Sequence, residues 1–170
     1  MASISIVHRV SIPSPQTHLV HVETTISASG ESAHMLPASL VLFMPVWTPG
    51  SYLVREYARH VEGLAAEAPG RSTKIRKDAW KVETGGAARV VVRYRVYAGE
   101  LTVRTNHVDE THAFLVGAAL FLGVEGMEQL GARVEIVAPR GCKAADTPIP
   151  TGRQPIPQQP IIMPRLGAYC

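Results

Sequence analysis

Cysteine is scarce in this chain: of 170 residues only Cys142 and Cys170 carry a thiol. That excludes a disulfide framework and a zinc site built on several thiolates. Aromatic residues are also few, at 6%, so each large ring is worth placing. No apolar run approaches the ~18 residues of a membrane helix. The opening "MASISIVHRVSIPSP" has no basic segment ahead of an apolar one, so no signal peptide is read there and a cytoplasmic location is expected. A strong excess of one charge is missing too. Residues 1–140 hold 14 Lys+Arg against 13 Asp+Glu, and the last thirty hold three against one, which together make the net +3. The cluster Arg71, Lys74, Arg76 and Lys77 has no interleaved aromatics on which bases would stack. Nucleic acid and membrane are therefore excluded as expected partners, and the cluster reads as a solvated connection between strands.

What is present is alternation. A chain of this length is expected to form one domain that buries about 70% of its unfolded surface. Hydrophobic content of 46% and charged content of 18% suit a globular protein. Period-two patterns predict strands over Ser3–Ile12, His18–Ala28, Ala38–Pro45, Ala79–Thr84, Ala87–Gly99 and Ala132–Pro139. In the fifth, Val90, Val92, Tyr94 and Val96 share one face, while Arg93 and Arg95 point to water on the other. Glu100–Asn106 reads as a further strand, joined to it by a hairpin at Ala98-Gly99. Helical turns compete with extended chain over Ser51–Ala68, and Gly117 and Gly123 argue against a long helix around Phe114–Leu122. After Gly141 six prolines in about thirty residues end the alternation, and residues 142–170 are expected to form a tail without packed structure.

"PVWTPGSYLVREYARHVEGL" (Pro45–Leu64) is too particular for a generic loop. Pro45 ends a strand, Trp47 offers a large anchor expected to be buried, and Pro49-Gly50 favours a tight turn. This passage resembles the N-terminal domain of the M61 metallopeptidases, the glycyl aminopeptidases. "KDAWKVET" (Lys77–Thr84), "VVRYRVYAGELTVRTNHVDETHAFLVGAALFL" (Val91–Leu122) and "RVEIVAPRG" (Arg133–Gly141) continue the likeness in order and spacing. The resemblance implies an all-β, sandwich- or saddle-like domain over residues 1–141, similar to that of the M1 aminopeptidases. It implies a parent reaction, zinc-dependent hydrolysis of N-terminal Gly or Ala peptide bonds. It also implies a partner, the catalytic domain that carries the family's His-Glu-x-x-His helix.

That motif does not occur among the seven histidines of this sequence. No catalytic or metal-binding residue is therefore assigned, and no cofactor is expected in this chain, zinc belonging to the full-length family. "HVDETH" (His107–His112) comes nearest, but on one helix or one strand its two imidazoles would face apart. By analogy with the M1 enzymes, Asn106, Asp109 or Glu110 is a candidate to meet a substrate amine. Tyr52 and Arg55 are candidates for a cleft or domain interface. Two departures from the family pattern stand out: Val116 where Asn is frequent, and Cys142 where Trp is expected. With the proline-rich tail, the second reads as a frame change or early end of the coding sequence. The function expected is a non-catalytic N-terminal domain without its catalytic partner. The alternative is a stand-alone β-module that binds peptides or proteins.

Overall fold

The computed structural model describes residues 3–29, 35–48, 51–67, 69–137 and 161–164. Twelve strands and three short 3-10 turns make up the described structure, with no α-helix among the described residues. In chain order the strands are β1 (Ser3–Ser11), β2 (Leu19–Ser29), β3 (Ser39–Phe43), β4 (Val61–Ala66), β5 (Arg71–Arg76) and β6 (Ala79–Glu83). They are followed by β7 (Arg89–Tyr97), β8 (His107–Val108), β9 (His112–Leu115), β10 (Gly123–Val124), β11 (Ala132–Val137) and β12 (Ile161–Pro164). Three open sheets result, in the orders β11-β1-β2-β7-β4, β10-β3-β6-β5 and β12-β9-β8. All pairs are antiparallel except β1 with β11, which is parallel.

Alternation decides which side of each strand is buried. Ile6, Val10, Val20, Val22, Ile26, Val90, Val92, Tyr94 and Val96 line the inner face of the five-stranded sheet. Leu40, Leu42, Trp80 and Val82 from the four-stranded sheet join the same core. Leu120, Phe121 and Leu122 follow the 3-10 turn Gly117–Ala119 and are buried in it as well. The Tyr94 hydroxyl ties that segment to the sheet, donating to the Leu120 carbonyl (2.9 Å) and accepting from the Leu122 N–H (3.3 Å). The residue after Leu122 is a glycine packed against Phe43: a Cβ there would lie 2.8 Å from the ring, which would have to shift to admit it.

The outer face of the five-stranded sheet is polar. Arg93 and Arg95 are half exposed, as their face predicts, but carboxylates meet both. Arg93 bonds Glu23 at 2.6 Å and also pairs with Glu67, and Arg95 lies 3.5 Å from Glu62. Exposed pairs of this kind contribute less than about 1 kcal/mol each.

Several sequence expectations need correction. Glu100–Asn106 forms no strand and no hairpin with β7, whose neighbours are β2 and β4. The Thr102 and Thr105 hydroxyls bond each other at 2.6 Å, and Thr105 also reaches the Glu100 carbonyl at 3.1 Å. These local bonds close the segment into turns, with Leu101 and Val103 exposed. The basic cluster is mostly the strand β5 rather than a connection. It lies at an edge of its sheet, where charged side chains discourage pairing with another chain. Among the described residues of Ser51–Ala68, Tyr57–His60 alone is helical, as a 3-10 turn, and β4 follows with Gly63 at φ +59 beside a break in register. Of the proline-rich stretch, Ile161–Pro164 pairs antiparallel with β9, and its other residues lie outside the described ones.

Candidate functional site

Two surfaces bring together the residues singled out in the sequence. The first follows β3. Met44 is buried and its N–H bonds the Asp78 carbonyl at 2.8 Å, which fixes where the chain leaves the sheet. The Ser51 N–H then bonds the Thr48 carbonyl at 3.0 Å, and Pro49-Gly50, between them, lie outside the described residues. Arg55 N–H returns to the Val46 carbonyl at 2.7 Å. Ser51 is the buried hub of the loop. Its hydroxyl donates to the Leu53 carbonyl (2.9 Å) and accepts from Arg55 Nε (3.0 Å), while its carbonyl accepts from Trp47 Nε1 (2.7 Å).

This internal bonding turns the apolar side chains outward. Tyr52 is 99% exposed, and Leu53, Val54 and Trp47 are 62%, 64% and 50% exposed. The expectation of a buried Trp47 is therefore corrected: its N–H is satisfied at the loop rim, and the core tryptophan is Trp80. Arg55 bonds within the loop through its Nε. Glu56 bonds Lys77, and that bond holds its carboxyl below the usual carboxylate range.

The second surface is the β8–β9 hairpin. His107 pairs with Phe114 and Val108 with Ala113, and the Asp109 N–H bonds the His112 carbonyl at 3.1 Å. Glu110 and Thr111 are the two exposed loop residues. Asp109 makes this reversal. Its Oδ1 accepts from the Thr111 N–H (2.7 Å), the Thr111 hydroxyl (2.6 Å) and the His112 N–H (2.9 Å). The Thr111 hydroxyl first, with the backbone donors and His107, holds the Asp109 carboxyl well below the ordinary range.

The reversal also removes the premise that set the two histidines apart. They sit on paired strands, with ring centroids 5.1 Å apart. His107, Asp109 and His112 together present ligand atoms within 4.8 Å of one another. Sequence parity on a single strand missed this. The available signal was Asp109 followed by Thr111, an aspartate placed to turn the chain.

Asn106 stands apart from Asp109 and Glu110. It is buried, its Oδ1 accepting from the Val116 N–H and its Nδ2 donating to the Ala119 carbonyl, each at 2.8 Å. Its side chain is consumed in holding the Val116–Ala119 segment. Asn106→Ala leaves the buried Ala119 carbonyl and the part-buried Val116 N–H without these partners and is expected to cost about 2 kcal/mol in urea unfolding. A variant as stable as the wild type would free Asn106 for a role toward ligands.

A groove on the outer sheet face is lined by Arg9, His21, Glu23, Arg93 and Arg95. Glu23 and its neighbours Glu62 and Glu67 offset the arginine charge there, so it offers no strong field to an anion. Among the described residues no helix is long and apolar enough to cross a membrane.

The family described as Peptidase M61 N-terminal domain matches residues 8–156, which runs past the Gly141 boundary read from composition. The fold is similar to part of an aminopeptidase N family protein from Idiomarina loihiensis, with a TM-score of 0.70 and 26% identity. That similarity covers 95% of this chain and 27% of the other, so the chain spans about a quarter of the larger protein's length. A Vibrio harveyi exo-β-N-acetylglucosaminidase of family GH20 also aligns, at 13% identity over 86% of this chain and 20% of its own, with a TM-score of only 0.29. No curated protein matches the sequence. With the family match covering most of its length and the all-β sheets agreeing with it, the chain belongs to the Peptidase M61 N-terminal domain family.

Proposed function

We propose that this chain serves as the non-catalytic N-terminal β-domain of an M61-type zinc aminopeptidase, the class that removes N-terminal Gly or Ala. Its role is to seat against a catalytic domain and wall one side of the substrate cleft. The observation that carries this reading is the loop Trp47–Arg55. A hydrogen-bonded frame centred on Ser51 holds three consecutive large side chains, Tyr52, Leu53 and Val54, out in solvent. Exposing such a cluster costs hydrophobic free energy unless another surface covers it. The match to 27% of a much longer aminopeptidase N family protein is in keeping with such a cover.

The His-Glu-x-x-His motif that the family uses for its zinc and its water-activating glutamate is not present in these 170 residues. The chain on its own is therefore expected not to turn over Gly- or Ala-anilides. The test mixes the purified chain with an M61 catalytic polypeptide lacking its own N-terminal domain, and measures association and anilide hydrolysis. The expected result is saturable association, weakened more than tenfold by the paired change Tyr52→Ser and Leu53→Ser. Chelator-sensitive hydrolysis by the chain alone would overturn the reading. Peptide binding by the chain with no response to the catalytic polypeptide would favour a stand-alone module instead.

A further inference from the structure

We infer that His107, Asp109 and His112 form a binding site for a divalent transition ion of the zinc class at the mouth of the β8–β9 hairpin. Two imidazoles and one carboxylate are the donor set that zinc and its neighbours prefer over magnesium or calcium. Spacing agrees with the donor types. His107 Nε2 lies 3.2 Å from Asp109 Oδ2, and His112 Nδ1 lies 3.3 Å from Asp109 Oδ1. Ligands about 2.0–2.1 Å from a tetrahedral zinc are separated from each other by roughly 3.3 Å. All three residues offer a ligand atom within a 4.8 Å span, so small side-chain rotations suffice to converge on one ion.

The cluster is also poorly satisfied by its own protons. His107 is 8% exposed, and its Nδ1 has no hydrogen-bond partner. With the ring proton on Nε2, Asp109 is served but a bare buried acceptor is left at Nδ1. With the proton on Nδ1, that buried donor lacks a partner and the Nε2 lone pair confronts a carboxylate oxygen at 3.2 Å. A cation between the last two atoms converts that confrontation into coordination. The side chains of Asp109 and His112 are 34% and 39% exposed, which gives an ion its path of entry and leaves a position for water. The backbone is already set for the task. Three donors hold Asp109 Oδ1 in place, and strand pairing holds His107 opposite Phe114. Binding would displace the contact between His112 Nδ1 and the Thr111 hydroxyl, now 2.8 Å.

The test is calorimetric titration of the untagged chain with zinc chloride at pH 7.5, repeated on His112→Ala and Asp109→Asn. One equivalent of zinc is expected to bind, with affinity falling more than tenfold in either variant and circular dichroism unchanged. Imidazole NMR of the wild type keeps the outcome clear if a variant misfolds. One equivalent of zinc should then shift the ring resonances of His107 and His112 and leave the buried His8 untouched. No saturable binding, or shifts confined to other histidines, would overturn the inference, as would full affinity in both variants.

Discussion

Phe121→Ala is expected to remove about 3–5 kcal/mol of folding free energy, the range for deleting a fully buried aromatic side chain. Domains of this size hold only about 5–15 kcal/mol in all, so the variant should sit near the edge of folding. Phe121 is wholly buried, and its ring stacks on His8 with centroids 4.6 Å apart. Leu120 and Leu122, on either side, are held by Tyr94. The surrounding segment therefore has little freedom to collapse into the space left behind, which places the loss in the upper half of the range. Urea unfolding with an unchanged slope is the measurement. A loss below 1 kcal/mol would show that the 117–122 segment repacks and that its contacts are looser than the structure shows.

Acid should have the next largest effect, through the other half of that stacked pair. His8 lies in the apolar row Ile4, Ile6 and Val10 of β1, which Ile12 continues just past the strand, with Nδ1 bonded to the Thr24 hydroxyl at 2.9 Å. Burial lowers its pKa from 6.5 to about 4. Above pH 6.5 the ring is neutral in both folded and unfolded chains and contributes no pH dependence. As pH falls from 6.5 toward 4, only the unfolded chain takes up the proton, so stability is lost across that window and levels off below it. The shift corresponds to about 3 kcal/mol lost by pH 4. Burial lowers the pKa of His60 as well and adds a smaller loss of the same sign. Urea unfolding at pH 7 and pH 4, alongside NMR titration of His8, measures both quantities. A His8 ring that titrates near 6.5 would sink the account. In Phe121→Ala the ring loses its cover, so its pKa should climb back toward 6.5 and the acid loss should shrink.

The long strands were legible because alternation alone settles their burial. Val90, Val92, Tyr94 and Val96 lie on the predicted inner face, and all-β architecture follows from rows of that kind. The short elements were not legible, for physical reasons that differ. β8, β9 and β10 are two to four residues long, too short for a period to show. β5 is an edge strand whose mostly exposed side chains carry no apolar row. Glu100–Asn106 alternates well but joins no sheet as a strand, since threonine hydroxyls close it locally. At the hairpin, parity along one strand separated His107 from His112, while the side chain of Asp109 reversed the chain and brought them together. Trp47 was misplaced because ring size was taken as a reason for burial, whereas the Ser51 carbonyl holds its indole at the rim.

The parallel pairing of β1 with β11 also has a consequence in time. β1 finds β2 after a short connection, but its other edge is closed only by residues 132–137, with Ile6 opposite Ala132 and Ser11 opposite Val137. Contacts spanning most of a chain form late and slow folding. While the polypeptide is being synthesised, at about 5–20 residues per second, the edge of β1 stays open for many seconds before its last neighbour emerges. Throughout that interval Arg9, on the outer face, is the nearest charged guard against a passing strand. The nascent chain thus carries an open strand edge at β1 until Val137 has left the ribosome, a template on which another strand can pair during synthesis.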